Sequence, residues 1–331
     1  MSTEHMHDPD IWFSDGNIVL RAEQTLFRVY RGILCRASPI FRDMLHIGHS
    51  QSCNPADTYE ECPLVVMAGD SAVDMRTFLR TLHDSSIFQM KLPSVDEIPQ
   101  IVSVLRLSTK YDVSYLRRPA IEVLQAWYPT ALSNFEALGS NTSLGLSHHI
   151  MVANVARQAF ASVLLPSALL LCATKARDSY ELYDGISRTD GLHVELLPEN
   201  KRSIFIGRPQ LEYAGRTRTF SFFYSADPRG PGCANRGHGN RKCADWCKDI
   251  SWESVLQKDH LLDPFFPFFE VARSFVVSSC CRVCSSSWEA QNRAGVEMLW
   301  KELPSIFDLQ PWSVLQSTTD NLTVDPSPLT H

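Results

Sequence analysis

Residues 15–47 limit what this chain can become more than any other stretch: DGNIVLRAEQTLFRVYRGILCRASPIFRDMLHI. Its first part alternates, with Ile18, Leu20 and Ala22 on one face and Asn17, Val19 and Arg21 on the other. After Glu23-Gln24 the alternation resumes, with Phe27 and Val29 opposed to Arg28 and Tyr30. Period two, twice, around a two-residue break predicts a β-hairpin. The period then changes. Ile33, Leu34 and Ala37 have helical spacing, and Ser38 can cap a second helix that takes Pro39 at its first position, where the missing N–H costs nothing. Ile40, Phe41, Met44 and Leu45 supply that helix with an apolar face. A hairpin feeding two short helices predicts an α+β core.

The following segments extend that core. Residues 46–62 are polar and turn-rich and predict a surface loop. Pro63–Met67 predicts a short buried strand against the hairpin. Asp70-Ser71 opens a helix carrying Met75, Phe78, Leu79 and Leu82 at i, i+3, i+4, i+7. Two more helices follow, one with Ile98, Ile101, Val102 and Leu105 on a face, the other with Leu116, Ala120, Val123, Leu124 and Trp127.

The run Phe27-Arg28-Val29-Tyr30-Arg31-Gly32-Ile33-Leu34, followed by Ser38-Pro39-Ile40-Phe41, resembles the centre of a BTB/POZ domain. The wording DGNIVL, LFRVYRGIL and SPIFRDML is most similar to fungal-type BTB proteins. The resemblance covers residues 10–128 and implies a small β-sheet capped by helices. It also implies a non-enzymatic protein-protein interaction module serving dimerisation or adaptor roles, in some members as a substrate adaptor docked on a cullin-type ubiquitin ligase. In that subgroup a hydrophobic-x-Glu signature contacts the cullin scaffold, and Val95-Asp96-Glu97 has its form. The same three residues open a helix, where acidic side chains suit the dipole. The segment Leu82–Gln89 lacks the Tyr-Thr-Gly turn common in the subgroup. Long-form BTB dimers exchange an additional helix and strand ahead of the hairpin. Met1–Asp10 has no apolar helical face, so exchange of that kind is not expected.

The chain of 331 residues is long enough for two domains with cores of their own. With 44% hydrophobic and 21% charged residues it is globular in composition. A net charge of −6 gives no general case for nucleic acid. The start MSTEHMHDPD is not a signal peptide, and the longest apolar stretch, Phe160–Ala173, is broken by Pro166 and too short to span a bilayer. The expectation is a soluble intracellular protein, cytoplasmic or nuclear, without a membrane partner. In that setting ten cysteines are expected as thiols or metal ligands.

Residues 129–331 predict a mostly α-helical C-terminal region with a flexible, glycine-rich loop at about 225–242. Its helices include Ser147–Leu164, Ser167–Ala173, a mixed pattern over Lys201–Phe223, and one bearing Trp288, Val296, Leu299 and Leu303 that ends before Pro304. The tail after Leu315 is polar and expected to fray. Cys243-x3-Cys247 and Cys281-x2-Cys284 are the best candidates for chemistry here. Each spacing puts two sulfurs on one helix face, and two such helices side by side would close a tetrahedral site for structural zinc. Cys233 and His238 are alternative ligands. The competing reading, favoured by the frequency of buried cysteine and of accidental motif matches, is plain core. Between Lys201 and Lys242, nine basic residues (Lys201, Arg202, Arg208, Arg216, Arg218, Arg229, Arg236, Arg241, Lys242) face only Glu212 and Asp227. Such a window could serve a nuclear regulator, but a solvated face is the expected meaning of a charge run that no DNA-reading motif accompanies. No nucleophile elbow, phosphate loop, dinucleotide fingerprint or zinc-protease motif is present, so an enzyme is not expected and no catalytic residue is named.

Overall fold

A computed structural model describes residues 5–50, 58–88, 94–139, 144–227, 229–234, 243, 263–271 and 280–323. The chain is mixed α+β, with a small sheet at the N-terminus followed by helices. It forms two compact units. One is built on the segment up to Pro129 together with Val155–Leu164 and the segment from Thr318 on, the other on Thr130–Asn154 and Leu165–Ser317.

In the first unit the hairpin forms where the alternation places it. Strands β2 (Ile18–Ala22) and β3 (Thr25–Val29) pair antiparallel, with Ile18 opposite Val29 and Leu20 opposite Phe27. These four side chains point into the main core. Val19 and Leu26 are equally buried but belong to a second cluster with Cys62, so both faces of the hairpin are covered. Helices α1 (Arg31–Ala37) and α2 (Pro39–Ser50) follow, and the Ser38 hydroxyl accepts the Phe41 N–H at 2.9 Å, the cap expected from Ser-Pro. The short strand β4 (Thr58–Tyr59) pairs with β5 (Cys62–Val66), which runs parallel to β2. Helix α2 therefore reaches to Ser50, into the stretch expected to be loop.

The sheet has one strand that the alternation does not announce. Strand β1 (Met6–Trp12) pairs parallel to β3 and completes the order β1-β3-β2-β5-β4. Its register shifts between His7 and Trp12, so burial falls on Asp8 and Ile11, three apart, and period two is lost. The buried Asp8 carboxylate accepts the N–H groups of Asp10 and Ile11, each at 3.0 Å, and the Arg76 guanidinium at 2.5 Å.

Helices α3 (Ala72–His83), α4 (Ile98–Lys110) and α5 (Ser114–Trp127) close this unit. Ser71 caps α3 by accepting from Asp74 N, and the Glu23 carboxylate from the hairpin turn accepts Ala72 N at 3.0 Å. A buried polar chain ties α2 to α4. Ser38 donates to the Tyr111 carbonyl, the Tyr111 hydroxyl donates to Asp70, and Lys110 pairs with Asp70 at 2.8 Å. The Phe41 ring stacks on Tyr111 at 4.4 Å. Phe41→Ala should therefore destabilise the first unit by about 3–5 kcal/mol, from lost transfer energy plus the cavity, measured by denaturant unfolding of the full chain.

Among its described residues the second unit is helical apart from the ribbon β6 (Ile186–Ser187) with β7 (His193–Val194). Its helices are α6 (Leu132–Leu138), α7 (Leu146–Gln158, whose last turn belongs to the first unit), α8 (Leu165–Lys175), α9 (Ser179–Tyr183), α10 (Pro198–Ala214), α11 (Ser221–Tyr224), α12 (Phe268–Val271), α13 (Arg282–Ile306) and α14 (Trp312–Thr323, which belongs to the first unit from Thr318 on). Trp288, Leu299 and Leu303 are buried on α13 as their spacing predicts. The helix does not stop before Pro304. Proline there removes the N–H that would bond the Trp300 carbonyl, and the Trp312 indole N–H supplies a replacement donor at 2.9 Å. Trp312 opens α14, so the chain after Leu315 continues as helix to Thr323 and does not fray there. At Gly295 a Cβ would lie 2.6 Å from the Arg218 carbonyl oxygen, which is why α13 can lie against the π-helical turn Gly215–Thr219. No helix among the described residues is long and apolar enough to cross a membrane.

His149 on α7 is fully buried, and burial, with the neighbouring His148 and Lys175 charges, pushes its imidazole down to about 3. The folded-state value lies below the ordinary value of about 6.5, so the unfolded chain takes up this proton first as pH falls. Stability from this group is complete above about pH 6.5 and is lost as pH falls from there toward 3, with a slope of about 1.4 kcal/mol per pH unit. Unfolding measured at pH 7 and at pH 5 should show this slope, and His149→Gln should flatten it.

Candidate metal centre

Four cysteine sulfurs meet in the second unit. Cys233, Cys243, Cys281 and Cys284 place their sulfur atoms within 4.8 Å of one another. Three elements of sequence build the cluster. The first is a turn at Gly230-Pro231-Gly232-Cys233, closed by Cys233 N donating to Gly230 O at 3.1 Å, with Gly232 at φ +82°. Proline second and a positive-φ glycine third are the residues of a type II turn. The second element is the single described residue Cys243, fully buried. The third is the start of α13, where Cys281 is the N-cap and Cys284 lies in the first turn.

The turn approaches α13 closely because its first residue lacks a side chain. A Cβ at Gly230 would sit 3.1 Å from Ser287 Cβ and 3.2 Å from the Val283 carbonyl oxygen. That approach lets Gly230 N donate to Cys284 Sγ at 3.3 Å, while Cys281 N donates to Cys243 Sγ at 3.3 Å. Backbone N–H groups aimed at sulfur stabilise thiolate. Burial pushes the Cys281 thiol up, but hydrogen bonds from the backbone of Cys284 and Ala234 and from the Cys284 and Cys243 side chains outweigh it and bring the thiol down to about 6. Burial pushes the Cys284 thiol up. Around the sulfurs lies an aromatic shell of Phe220, Phe222, Phe223, Phe268 and Trp288, with Phe222 stacked on Trp288 at 5.8 Å.

These dimensions fit a soft tetrahedral cation. Zinc–sulfur bonds of about 2.3 Å imply sulfur–sulfur edges of about 3.8 Å. The Cys233 and Cys281 sulfurs are 3.9 Å apart, far beyond a disulfide bond, and all four cysteines are reduced. Four thiolates with no carboxylate suit zinc, and they leave no open position for a catalytic water.

The structure thus brings together three of the expected ligands, Cys243, Cys281 and Cys284, and puts Cys233 in the fourth place. Cys247 and the alternative ligand His238 lie outside the described residues. The sequence signal for Cys233 is the Pro-Gly turn before it, which the helical spacing of Cys243 and Cys247 overshadows. Over residues 229–234 the expected flexible loop is instead a fixed turn.

The other candidates separate cleanly. Val95, Asp96 and Glu97 form a 3-10 turn ahead of α4, in which Ser94 and Glu97 make a reciprocal capping box, the Glu97 carboxylate accepting Ser94 N at 2.6 Å. Asp96 is exposed. In the basic window Lys201 pairs with Glu195, Arg202 with Asp308, Arg216 with Glu212, Arg218 with Glu302 and Arg229 with Asp227. The partners Glu195, Glu302 and Asp308 lie outside the window, so three of its seven excess positive charges are met from elsewhere in the same unit. Arg236, Arg241 and Lys242 lie outside the described residues. No protein-family model, curated protein or solved structure matches this chain.

Gly230→Ala should cost about 1–3 kcal/mol by overpacking the turn against α13. A melt of the full chain followed by tryptophan fluorescence, with Trp288 beside the cluster, measures it.

Proposed function

We propose that this chain is a non-enzymatic protein-interaction module of the BTB/POZ type, with a C-terminal half held by structural zinc on Cys233, Cys243, Cys281 and Cys284. The observation that carries the first part is the stretch 15–47. Its BTB-like wording folds as a hairpin, then two short helices divided at Ser38-Pro39, and β5 returns parallel to β2. Small sheets capped by helices of this order resemble BTB domains, which act by burying complementary surface, with aromatic and arginine anchors giving most of the energy. The four-sulfur geometry supports the second part, and a closed tetrathiolate fits a structural role.

Affinity capture with the intact chain, followed by titration of each recovered protein, tests the module reading. At least one partner should bind with Kd below about 1 μM, about 8 kcal/mol. Recovery of nothing beyond a control chain overturns the reading. A purified cullin N-terminal region is the specific arm. If the chain is a ligase adaptor, binding is lost in Asp96→Lys, which reverses an exposed charge and leaves the Ser94–Glu97 cap in place. Absence of binding at concentrations tenfold or more above about 1 μM removes the adaptor. For the metal, elemental analysis should give near one zinc per chain, and Cys243→Ser with Cys284→Ser should lose it while the first unit stays folded. Zinc retained by that double variant excludes this ligand set.

A further inference from the structure

We propose that the four-sulfur cluster is a peroxide-sensitive clasp, in which Cys281 is oxidised first and then joins Cys284 in a disulfide. The proposal rests on the zinc reading above.

Access differs among the four sulfurs. Cys233, Cys243 and Cys284 are buried, at 5%, 0% and 0% exposure, whereas Cys281 is only partly buried. It is the residue on which a small hydroperoxide can land.

Geometry then selects the partner. Cys280 adjoins Cys281 and packs on the same cluster. Neighbouring Cα atoms are about 3.8 Å apart across a trans peptide, below the range of about 4.4–6.8 Å that a disulfide spans, so the vicinal pair is strained. Cys284 lies one turn along the same helix with its sulfur within 4.8 Å of the Cys281 sulfur, and residues three apart on a helix have Cα atoms inside the range a disulfide spans. Cys233 and Cys243 come from separate segments, and a link from Cys281 to Cys233, whose sulfur lies 3.9 Å away, is the competing outcome.

The chemistry balances with a hydroperoxide as oxidant. The Cys281 thiolate attacks one peroxide oxygen. A sulfur–oxygen bond forms, the oxygen–oxygen bond breaks, and the leaving oxygen takes a proton to depart as water when the oxidant is hydrogen peroxide. The Cys284 thiolate then attacks the Cys281 sulfur, so that a sulfur–sulfur bond forms, the sulfur–oxygen bond breaks and a second water leaves with a second proton. Two thiolates give up two electrons, and the peroxide becomes two waters. Two of four ligands are consumed, so Cys233 and Cys243 alone cannot hold zinc, and the Gly230–Cys233 turn is released from α13.

The experiment uses the full chain, purified with its zinc and treated with hydrogen peroxide in chelator-free buffer. Zinc release is followed with a colorimetric chelator, disulfides by peptide mapping after thiol blocking, and the turn by trypsin cleavage after Arg229. The expected result is loss of one zinc per chain together with a Cys281–Cys284 link and faster cleavage at Arg229. Reductant plus zinc should reverse all three, and Cys280→Ser should behave as wild type. A zinc-loaded chain that keeps its metal under peroxide overturns the clasp alone, as does a link from Cys281 to Cys233 or Cys280. A chain purified without zinc overturns the metal reading, and the clasp with it.

Discussion

Four sulfurs within 4.8 Å of one another, three of them buried and one partly buried, form the constraint on which the second unit depends. As thiolates they repel, and burial in an aromatic shell deprives them of water to spread the charge. Two solutions exist: protonation of most of them, or a cation at the centre. The backbone N–H donors from Gly230 and Cys281 point at sulfur, an arrangement suited to thiolate and of little use to thiol. The surrounding fold follows from holding that geometry. Trp288 and the Phe220–Phe223 segment pack on the sulfurs, and α13 runs from there to Trp300, which donates to Thr130 O at 2.8 Å and packs against Phe135, Phe265 and Trp312. A 25-residue helix spans about 37 Å, so one element fixes two aromatic clusters at once.

The first unit was legible because its signals are local. Strands β2 and β3 alternate in sequence as they do in space, and Ser38-Pro39 marks a helix start within four residues. Strand β1 was not legible for a physical reason. A register shift moves its buried residues to Asp8 and Ile11, and the inward position is filled by a carboxylate that becomes tolerable only once Arg76, 68 residues away, arrives. Pro304 misled for a related reason. A proline ordinarily ends a helix, and the replacement donor for the carbonyl it frees is the side chain of Trp312, which no local window around Pro304 reveals.

The candidate site was legible in kind: Cys243, Cys281 and Cys284 meet as expected, Cys233, read as an alternative ligand, joins them, and Cys247 lies outside the described residues. Cys-x3-Cys and Cys-x2-Cys are both helical spacings, and reading both as helical ligand pairs left Cys233 as an alternative ligand. The actual cluster combines a helix start with a turn, and turns carry a different code, here Pro231-Gly232. Glycine was read as looseness over 225–242. At Gly230 it instead permits approach, and at Gly232 it supplies the positive φ that the turn requires.

The same distinction between local cause and long-range role applies to Val95-Asp96-Glu97. Glu97 is accounted for by the helix it starts: its carboxylate satisfies Ser94 N, an amide that would otherwise lack an intrahelical partner. Val95 is half-buried beneath that cap. Asp96 is the member with neither burial nor a capping bond, and a negative charge at an N-terminal turn gains only about 0.3–1 kcal/mol from the dipole. Of the three, it is the residue whose chemistry is least spent on the fold. Any recognition that uses this turn must therefore be read at Asp96, because a change at Glu97 alters the cap and the surface together.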